Sequence, residues 1–187
     1  MELRDSMHNQ LLIAMPGMLD PNFSSTVTLI CEHNAEGALG IVINRPLGLN
    51  LGGLFDQLEV DDVDENASSS PVMNGGPVAP ERGFVLHDAG DAYESTVAVS
   101  PDIQLTLSRD VLDSIAAGSG PKNSLVALGY AGWQPGQLEA EIMQNTWLNV
   151  PASKEIVFDV PFGDRWETAA NALGVDISRL APHAGHA

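Results

Sequence analysis

Residues Gly129–Trp147 read GYAGWQPGQLEAEIMQNTW. One tryptophan precedes a predicted turn and helix in this segment, and a second follows them. The helix is predicted over 136–146, where Leu138 and Ile142 stand one turn apart and form the stripe that faces the core. Asn145 falls close to the same stripe, so it is predicted to be buried and hydrogen-bonded. This density of aromatic, polar and turn-forming residues exceeds what a connector requires.

Outward from this segment, short apolar runs alternate with Gly, Pro and Asn turns. Runs of β-branched and apolar residues predict strands at 11–15, 26–33, 38–44, 72–74, 83–87, 96–99, 103–107, 125–128 and 155–160. The second and third of these flank a short turn, which predicts a hairpin. Further helices are predicted at 49–58, 109–117 and 164–173, with Ser108 as the N-cap of the second.

Strands outnumber helices and no internal repeat is present, which predicts one α/β domain over 1–187. The expected fold is a single-domain sandwich of mixed, largely antiparallel strands with covering helices. Residues 59–70 carry five carboxylates and are predicted to form a solvated loop. Residues 1–8 and 182–187 are predicted to be mobile ends.

The charge balance restricts the classes of partner. Eight basic and 25 acidic residues give a formal net charge of −17. Nucleic-acid binding requires Lys and Arg to neutralise phosphates, so direct DNA or RNA binding is disfavoured. An anionic membrane surface is disfavoured for the same reason.

The single cysteine, Cys31, excludes a disulfide within the chain and suits a reducing compartment. The first apolar stretch, at 11–15, is stopped by Pro16 and is too short for a signal-peptide core or a membrane span. A cytoplasmic location without membrane attachment is therefore expected.

Trp133, Trp147, Glu139 and Asn145 are the candidate binding residues of the opening segment. Aromatic side chains at a turn or a helix end line a cleft about as often as they fill a core. Glu139 and Glu141 point about 200° apart around a helix, so they cannot form a close acid/base pair. Glu139 is expected either to form an ion pair with an arginine or to contact a ligand.

Gly75, Gly76, Arg82 and Arg109 are expected to border the same shallow, partly apolar cleft. Gly75-Gly76 is either a tight turn or a phosphate cradle, although it lacks the spacing of known phosphate-binding loops. The arginines either pair with carboxylates or clamp an anion.

No catalytic or cofactor signature is visible. Cys31 and His33 would share one face of a regular strand, and His87 could complete a zinc-type set, but nothing places His87 near them. The Gly-x-Ser-x-Gly and His-Glu-x-x-His motifs are absent. No metal or cofactor is therefore expected.

Taken together, five segments of the sequence resemble the bacterial YqgE/AlgH family over almost the whole chain and in the expected order. The matching segments are LLIAMPGMLDPNFSSTVTLICEHNAEGALGIVINRP (11–46), PVMNGGPVAPERGFVLH (71–87), LTLSRDVLDSIAAGSGP (105–121), LVALGYAGWQPGQLEAEIMQNTWLNVPA (125–152) and IVFDVPFGDRWETAANALGVD (156–176). Family members usually carry an arginine just before the second strand, where Ser24-Ser25 stands here.

The resemblance implies a compact α/β domain of mixed strands without an obligatory cofactor, and a role in transcriptional regulation. Because the predicted helices are acidic, such regulation is expected to act through a protein partner of unknown identity or through a small ligand. The alternative is an enzyme or a metabolite-binding protein that uses the same cleft, with Glu139 as base and Arg82 or Arg109 as anion clamp. A monomer or a weak homo-oligomer is expected.

Overall fold

The computed structural model describes residues 6–90, 92–176 and Arg179, and within them the chain forms ten strands and five α-helices. The strands are β1 (Gln10–Ala14), β2 (Val27–Asn34), β3 (Gly37–Val42), β4 (Pro46–Asn50), β5 (Pro71–Asn74), β6 (Val78–Asp88), β7 (Thr96–Ala98), β8 (Ile103–Thr106), β9 (Ser124–Trp133) and β10 (Trp147–Pro151). The helices are α1 (Leu51–Gln57), α2 (Glu65–Ser68), α3 (Asp110–Ala116), α4 (Gln137–Met143) and α5 (Arg165–Asn171).

The strands form one sheet in the order β10-β1-β2-β3-β9-β6-β8-β7, which curls into a half-barrel. Neighbours along this path are antiparallel, whereas β5, which also pairs with β4, runs parallel to β9. The predicted α/β fold with mixed, largely antiparallel strands in a single domain is therefore confirmed.

Helices and turns cover the sheet around three apolar clusters, named here after the elements that bury them. The inner core lies beneath α5 and the turn at 155–159, the α1/α3 core lies beneath α1 and α3, and the α4 core lies beneath α4. Representative members are Leu29, Leu86, Val157 and Ala169 for the inner core, Phe55, Val85, Val111 and Val126 for the α1/α3 core, and Leu12, Trp133, Leu138 and Trp147 for the α4 core.

The predicted hairpin between the second and third strands is confirmed, because β2 and β3 pair antiparallel and Asn34 lies opposite Gly37. A β-bulge interrupts this pairing between Ile30 and Glu32. The bulge matters for the site, since it changes which side chains of β2 share a face.

The prediction of a strand at 155–160 is wrong, because Glu155–Asp159 forms a π-helical turn. Ser153 starts it: its carbonyl accepts the amide of Val157 and its hydroxyl accepts the amide of Ile156. Ile156 and Val157 are both buried in the inner core, so tertiary packing overrides their β propensity.

Three elements escaped prediction. Strands β4 and β10 lie where no strand was expected, and the acidic loop at 59–70 contains the short helix α2, all of whose residues are at least partly exposed. Of the predicted mobile ends, residues 1–5 and 182–187 lie outside the described residues, whereas Met7 packs against the α4 core.

Candidate functional site

The structure distributes the eight predicted binding residues over separate places instead of one cleft. Trp133 and Trp147 belong to the α4 core, and Glu139 lies on α4 itself. Arg82 and Arg109 line a cleft beside the α1/α3 core. The remaining three are the buried pair Gly75-Gly76 and the exposed Asn145.

The two tryptophans are packed against each other and against Phe23. The ring centroids of Trp133 and Trp147 are 6.3 Å apart, and Phe23 lies 5.6 Å from Trp147 in an edge-to-face contact. The Glu141 carboxylate serves both indoles, since Oε1 accepts each Nε1–H at 3.3 Å. Its Oε2 is buried with no hydrogen-bond partner among the described residues. No local pattern in the sequence marks Glu141 for this role.

Glu139 pairs with a histidine and not with an arginine, which corrects the expected ion pair with Arg82 or Arg109. Its Oε1 contacts Nε2 of His33, whose side chain is completely buried. The amide of Met7 donates to Nδ1 of His33 at 2.8 Å, so Nδ1 carries the lone pair and Nε2 the proton. Glu139 thereby ties α4 to β2 and to the segment before β1.

Asn145 is exposed, so the prediction that it joins the inward stripe of the helix is wrong. Helix α4 ends at Met143, and Asn145 follows with a left-handed φ of 58°. Asn tolerates this conformation better than most residues, which suits it to the chain reversal after a helix. The helical period cannot be extended through it.

Gly75 and Gly76 form a close backbone crossing, which supports the tight-turn interpretation over the phosphate cradle. A Cβ on Gly75 would lie 2.3 Å from the carbonyl oxygen of Gly129, and one on Gly76 would lie 2.2 Å from the carbonyl carbon of Tyr130. The amide of Gly75 donates to the Leu128 carbonyl, and that of Gly76 donates to the Asn74 side chain. Neither amide is available to an anion.

The β2 bulge separates Cys31 from His33, so the prediction that they share a face is wrong. Cys31 lies in the inner core, whereas His33 faces α4. Burial, followed by the nearby charge of Glu32, raises the pKa of the Cys31 thiol. His87 is buried against Thr106, with 2.7 Å between Nε2 and the hydroxyl. Within the described residues, no group of three or more His, Cys, Asp or Glu side chains could hold a metal ion.

Ser108 does not cap α3 as predicted. Its hydroxyl donates to Asp110, and this hydrogen bond, together with the Glu94 amide, holds the pKa of the Asp110 carboxyl below its usual value. Arg109 occupies the N-cap position instead and pairs with Asp113 at 3.7 Å.

One cleft, the hairpin cleft, has a volume of about 420 Å³ and lies between the β2–β3 hairpin and the end of β9. Its wall includes Leu39, Val78 and Tyr130, and Trp133 also lines it. Glu32 and Glu36 lie at the exposed hairpin, and none of the described residues that line the cleft is cationic. Glu36 lies in the turn of the predicted hairpin and Glu32 on the strand before it, a sequence signal that could have identified the cleft.

Among the residues that the structure describes, no helix has the length and apolar character needed to cross a membrane.

Comparisons with known proteins are consistent across sequence and structure. A model of the AlgH-like family matches residues 11–178. The UPF0301 protein of Saccharophagus degradans is 53% identical over 97% of this chain and 89% of its own length, and that of Methylococcus capsulatus is 52% identical over 95% of both chains.

Solved structures support the same assignment. The solution structure of the AlgH protein from Pseudomonas aeruginosa matches with a TM-score of 0.80 and 48% identity, over 100% of this chain and 99% of that one. A crystal structure of a protein from Corynebacterium diphtheriae shares the fold, with a TM-score of 0.75 at 18% identity, over 97% of this chain and 95% of that one. The chain therefore belongs to the AlgH-like family.

Proposed function

We propose that this protein is a cytoplasmic regulatory or interaction module, monomeric or weakly self-associating, that binds a basic segment of a protein partner in the hairpin cleft. The observation that carries the proposal is the charge of that cleft, which presents Glu32 and Glu36 above an apolar wall. Neither carboxylate has an ion-pair partner among the described residues, so both are available to lysine or arginine side chains.

The composition of the chain supports a basic partner. With a net charge of −17, the protein attracts cationic segments over distances of about a Debye length and repels anionic ones. Rim carboxylates then determine where on the surface the partner stays, while Leu39, Val78 and Tyr130 offer apolar contact.

The helices support a partner other than DNA. Both α3 and α4 have seven residues, acidic groups in the first turn and no basic residue in the last turn. A recognition helix needs arginine and lysine to hold the phosphate backbone. The regulation that the family resemblance implies is therefore proposed to act through the protein partner.

A defined peptide tests this proposal. Isotope-labelled protein would be titrated with a ten-residue peptide of alternating lysine and leucine, and with a matched peptide that has glutamate for lysine. We expect saturable NMR shifts at the amides of 32–39 and 130–134 with the basic peptide alone. The double variant Glu32→Gln/Glu36→Gln should bind about tenfold more weakly, as expected when two charge-assisted contacts are removed.

The matched control is Glu59→Gln/Asp61→Gln, which also removes two negative charges, but from the acidic loop at 59–70. Its affinity should stay within about twofold of the wild type, because the loop lies outside the cleft. Equal weakening in the two double variants would reduce the binding to unspecific attraction and contradict the proposed site.

A further inference from the structure

A second cleft, the arginine cleft, opens where β6 and β8 diverge. Their pairing ends at Val85 and Thr106, and the chain then continues on one side to Arg82 and on the other into α3. The opening has a volume of about 180 Å³, and both Arg82 and Arg109 line it. Two arginine residues therefore border one small opening on a strongly acidic protein.

Arg82 differs from the other described arginines because its guanidinium has no hydrogen-bond or ion-pair partner among the described residues. Each of the others is engaged by a carboxylate or by backbone carbonyls, namely Arg45, Arg109, Arg165 and Arg179. In a chain with 25 carboxylates and eight cations, an unpaired arginine is unexpected. Its donors remain available to a ligand.

The Arg82 guanidinium contacts an aromatic ring, a contact that leaves its N–H donors unoccupied. The guanidinium carbon lies 5.8 Å from the centroid of the Phe84 ring, within the range of a cation–π interaction. A guanidinium that is positioned over a ring keeps its N–H fork directed outward, and the fork matches a carboxylate or a phosphate.

Arg109 supplies the opposite side of the opening. One of its terminal nitrogens donates to the carbonyl of Leu58 at 3.2 Å, and its Nε lies 3.7 Å from Asp113. The other terminal nitrogen has no partner among the described residues. Asp113 balances part of the Arg109 charge, so Arg82 provides the unbalanced positive charge of the cleft.

The rest of the lining is largely apolar and sets the size of the ligand. Leu58, Val85, Leu107 and Leu112 contribute hydrocarbon surface. The volume is below the roughly 300–1,000 Å³ of pockets for drug-sized molecules. A phosphate or carboxylate head with a short hydrocarbon tail fits both the charge and the space.

We propose that the arginine cleft binds a small organic anion, with its carboxylate or phosphate head on Arg82 and Arg109 and its apolar part against the leucines. This site is separate from the hairpin cleft, with which it shares no lining residue. It also stands apart from Glu139, because α4 packs on β3 and β10 whereas α3 packs on α2. The single cleft with Glu139 as base and an arginine as clamp is therefore not formed.

Three small anions test the proposal on isotope-labelled protein at low salt, namely butyrate, butyl phosphate and inorganic phosphate. Saturable NMR shifts are expected at the amides of Gly83 and Ser108. Whichever of butyrate and butyl phosphate binds more tightly identifies the preferred head group. Butyl phosphate should bind several-fold more tightly than inorganic phosphate, because burial of its hydrocarbon tail removes apolar surface from water.

Arg82→Gln should weaken the binding by about tenfold, through loss of the charge-assisted contacts. The matched control is Arg179→Gln, an arginine outside the cleft that pairs with Asp176, and it should bind like the wild type. Arg82 is exposed, so its variant is expected to fold, and urea unfolding would verify this. Absence of saturable shifts with all three anions would overturn the proposal. Equal binding by wild type and Arg82→Gln, or equal affinity for butyl phosphate and inorganic phosphate, would also overturn it.

Discussion

The α4 face and the arginine cleft use unusual residues in opposite ways. Beneath α4, the indole nitrogens of Trp133 and Trp147 both donate to one carboxylate, and Glu139 is engaged by a buried histidine. At the arginine cleft, Arg82 stands in an ordinary sequence context, yet its guanidinium has no hydrogen-bond or ion-pair partner among the described residues. The comparison teaches that the polar residues of a dense segment can be engaged mainly within the fold, whereas exposed donors without a hydrogen-bond partner mark a surface with capacity to bind.

The largest expected difference between the two regions is in stability. Trp147→Ala should lower the free energy of unfolding by roughly 3–5 kcal/mol, because it removes a buried aromatic side chain and leaves a cavity in the α4 core. Arg82→Gln should change it by less than about 0.5 kcal/mol, as is usual at exposed positions. Urea unfolding of both variants gives the comparison.

Met143→Ala is the control for the tryptophan variant, since Met143 ends helix α4, four residues before Trp147, and is 83% exposed. It should behave like Arg82→Gln. If Trp147→Ala were as mild as Met143→Ala, the α4 face would be an open surface and the contrast with the arginine cleft would fail.

A smaller effect is expected from Glu141, the acceptor that the two indoles share. Glu141→Ala leaves two indole N–H groups without their acceptor and should cost about 1–3 kcal/mol of unfolding free energy. Glu141→Gln keeps an acceptor oxygen and should lose less than half of that. Equal losses measured by urea unfolding would show that the charge, and not the hydrogen-bond geometry, stabilises this face.

The smallest effect concerns pH on the arginine-cleft side. The hydrogen bond from Ser108 lowers the folded-state pKa of Asp110 below its ordinary value of 3.8. A carboxyl with a depressed folded-state pKa contributes stability that is present above the unfolded pKa and is lost as pH falls through the folded pKa. Wild type should therefore be more stable than Asp110→Asn near neutral pH.

That advantage should shrink as the pH falls below about 4. Unfolding free energies of the two proteins across this range provide the measurement. A difference that stays constant with pH would contradict the role of the ionised carboxylate.

The β-rich architecture could be predicted because strand and turn signals are local. The hairpin of β2 and β3 depends on two β-branched runs around a two-residue turn, and no distant contact is needed to infer it. The turn at 155–159 could not be predicted, because Ile156 and Val157 acquire their conformation from burial in the inner core.

The site was less predictable than the fold, because its partners are distant in sequence. Glu139 meets His33 from 106 residues away, so no spacing rule could pair them. The position of Asn145 depends on where α4 ends, and helix boundaries are the least reliable part of such predictions. The sequence could not predict that Arg82 lacks an ion-pair partner, because this depends on where the fold places the carboxylates.

The burial of Cys31 in the inner core has a practical consequence for chemical labelling. A buried thiol with a raised pKa is almost entirely protonated near neutral pH and is shielded from alkylating reagents. A cysteine introduced at the exposed Asn34, on the rim of the hairpin cleft, would therefore react selectively while Cys31 stays silent. A photo-crosslinker could thus be attached beside the cleft through a single substitution, and Cys31 would not have to be replaced first.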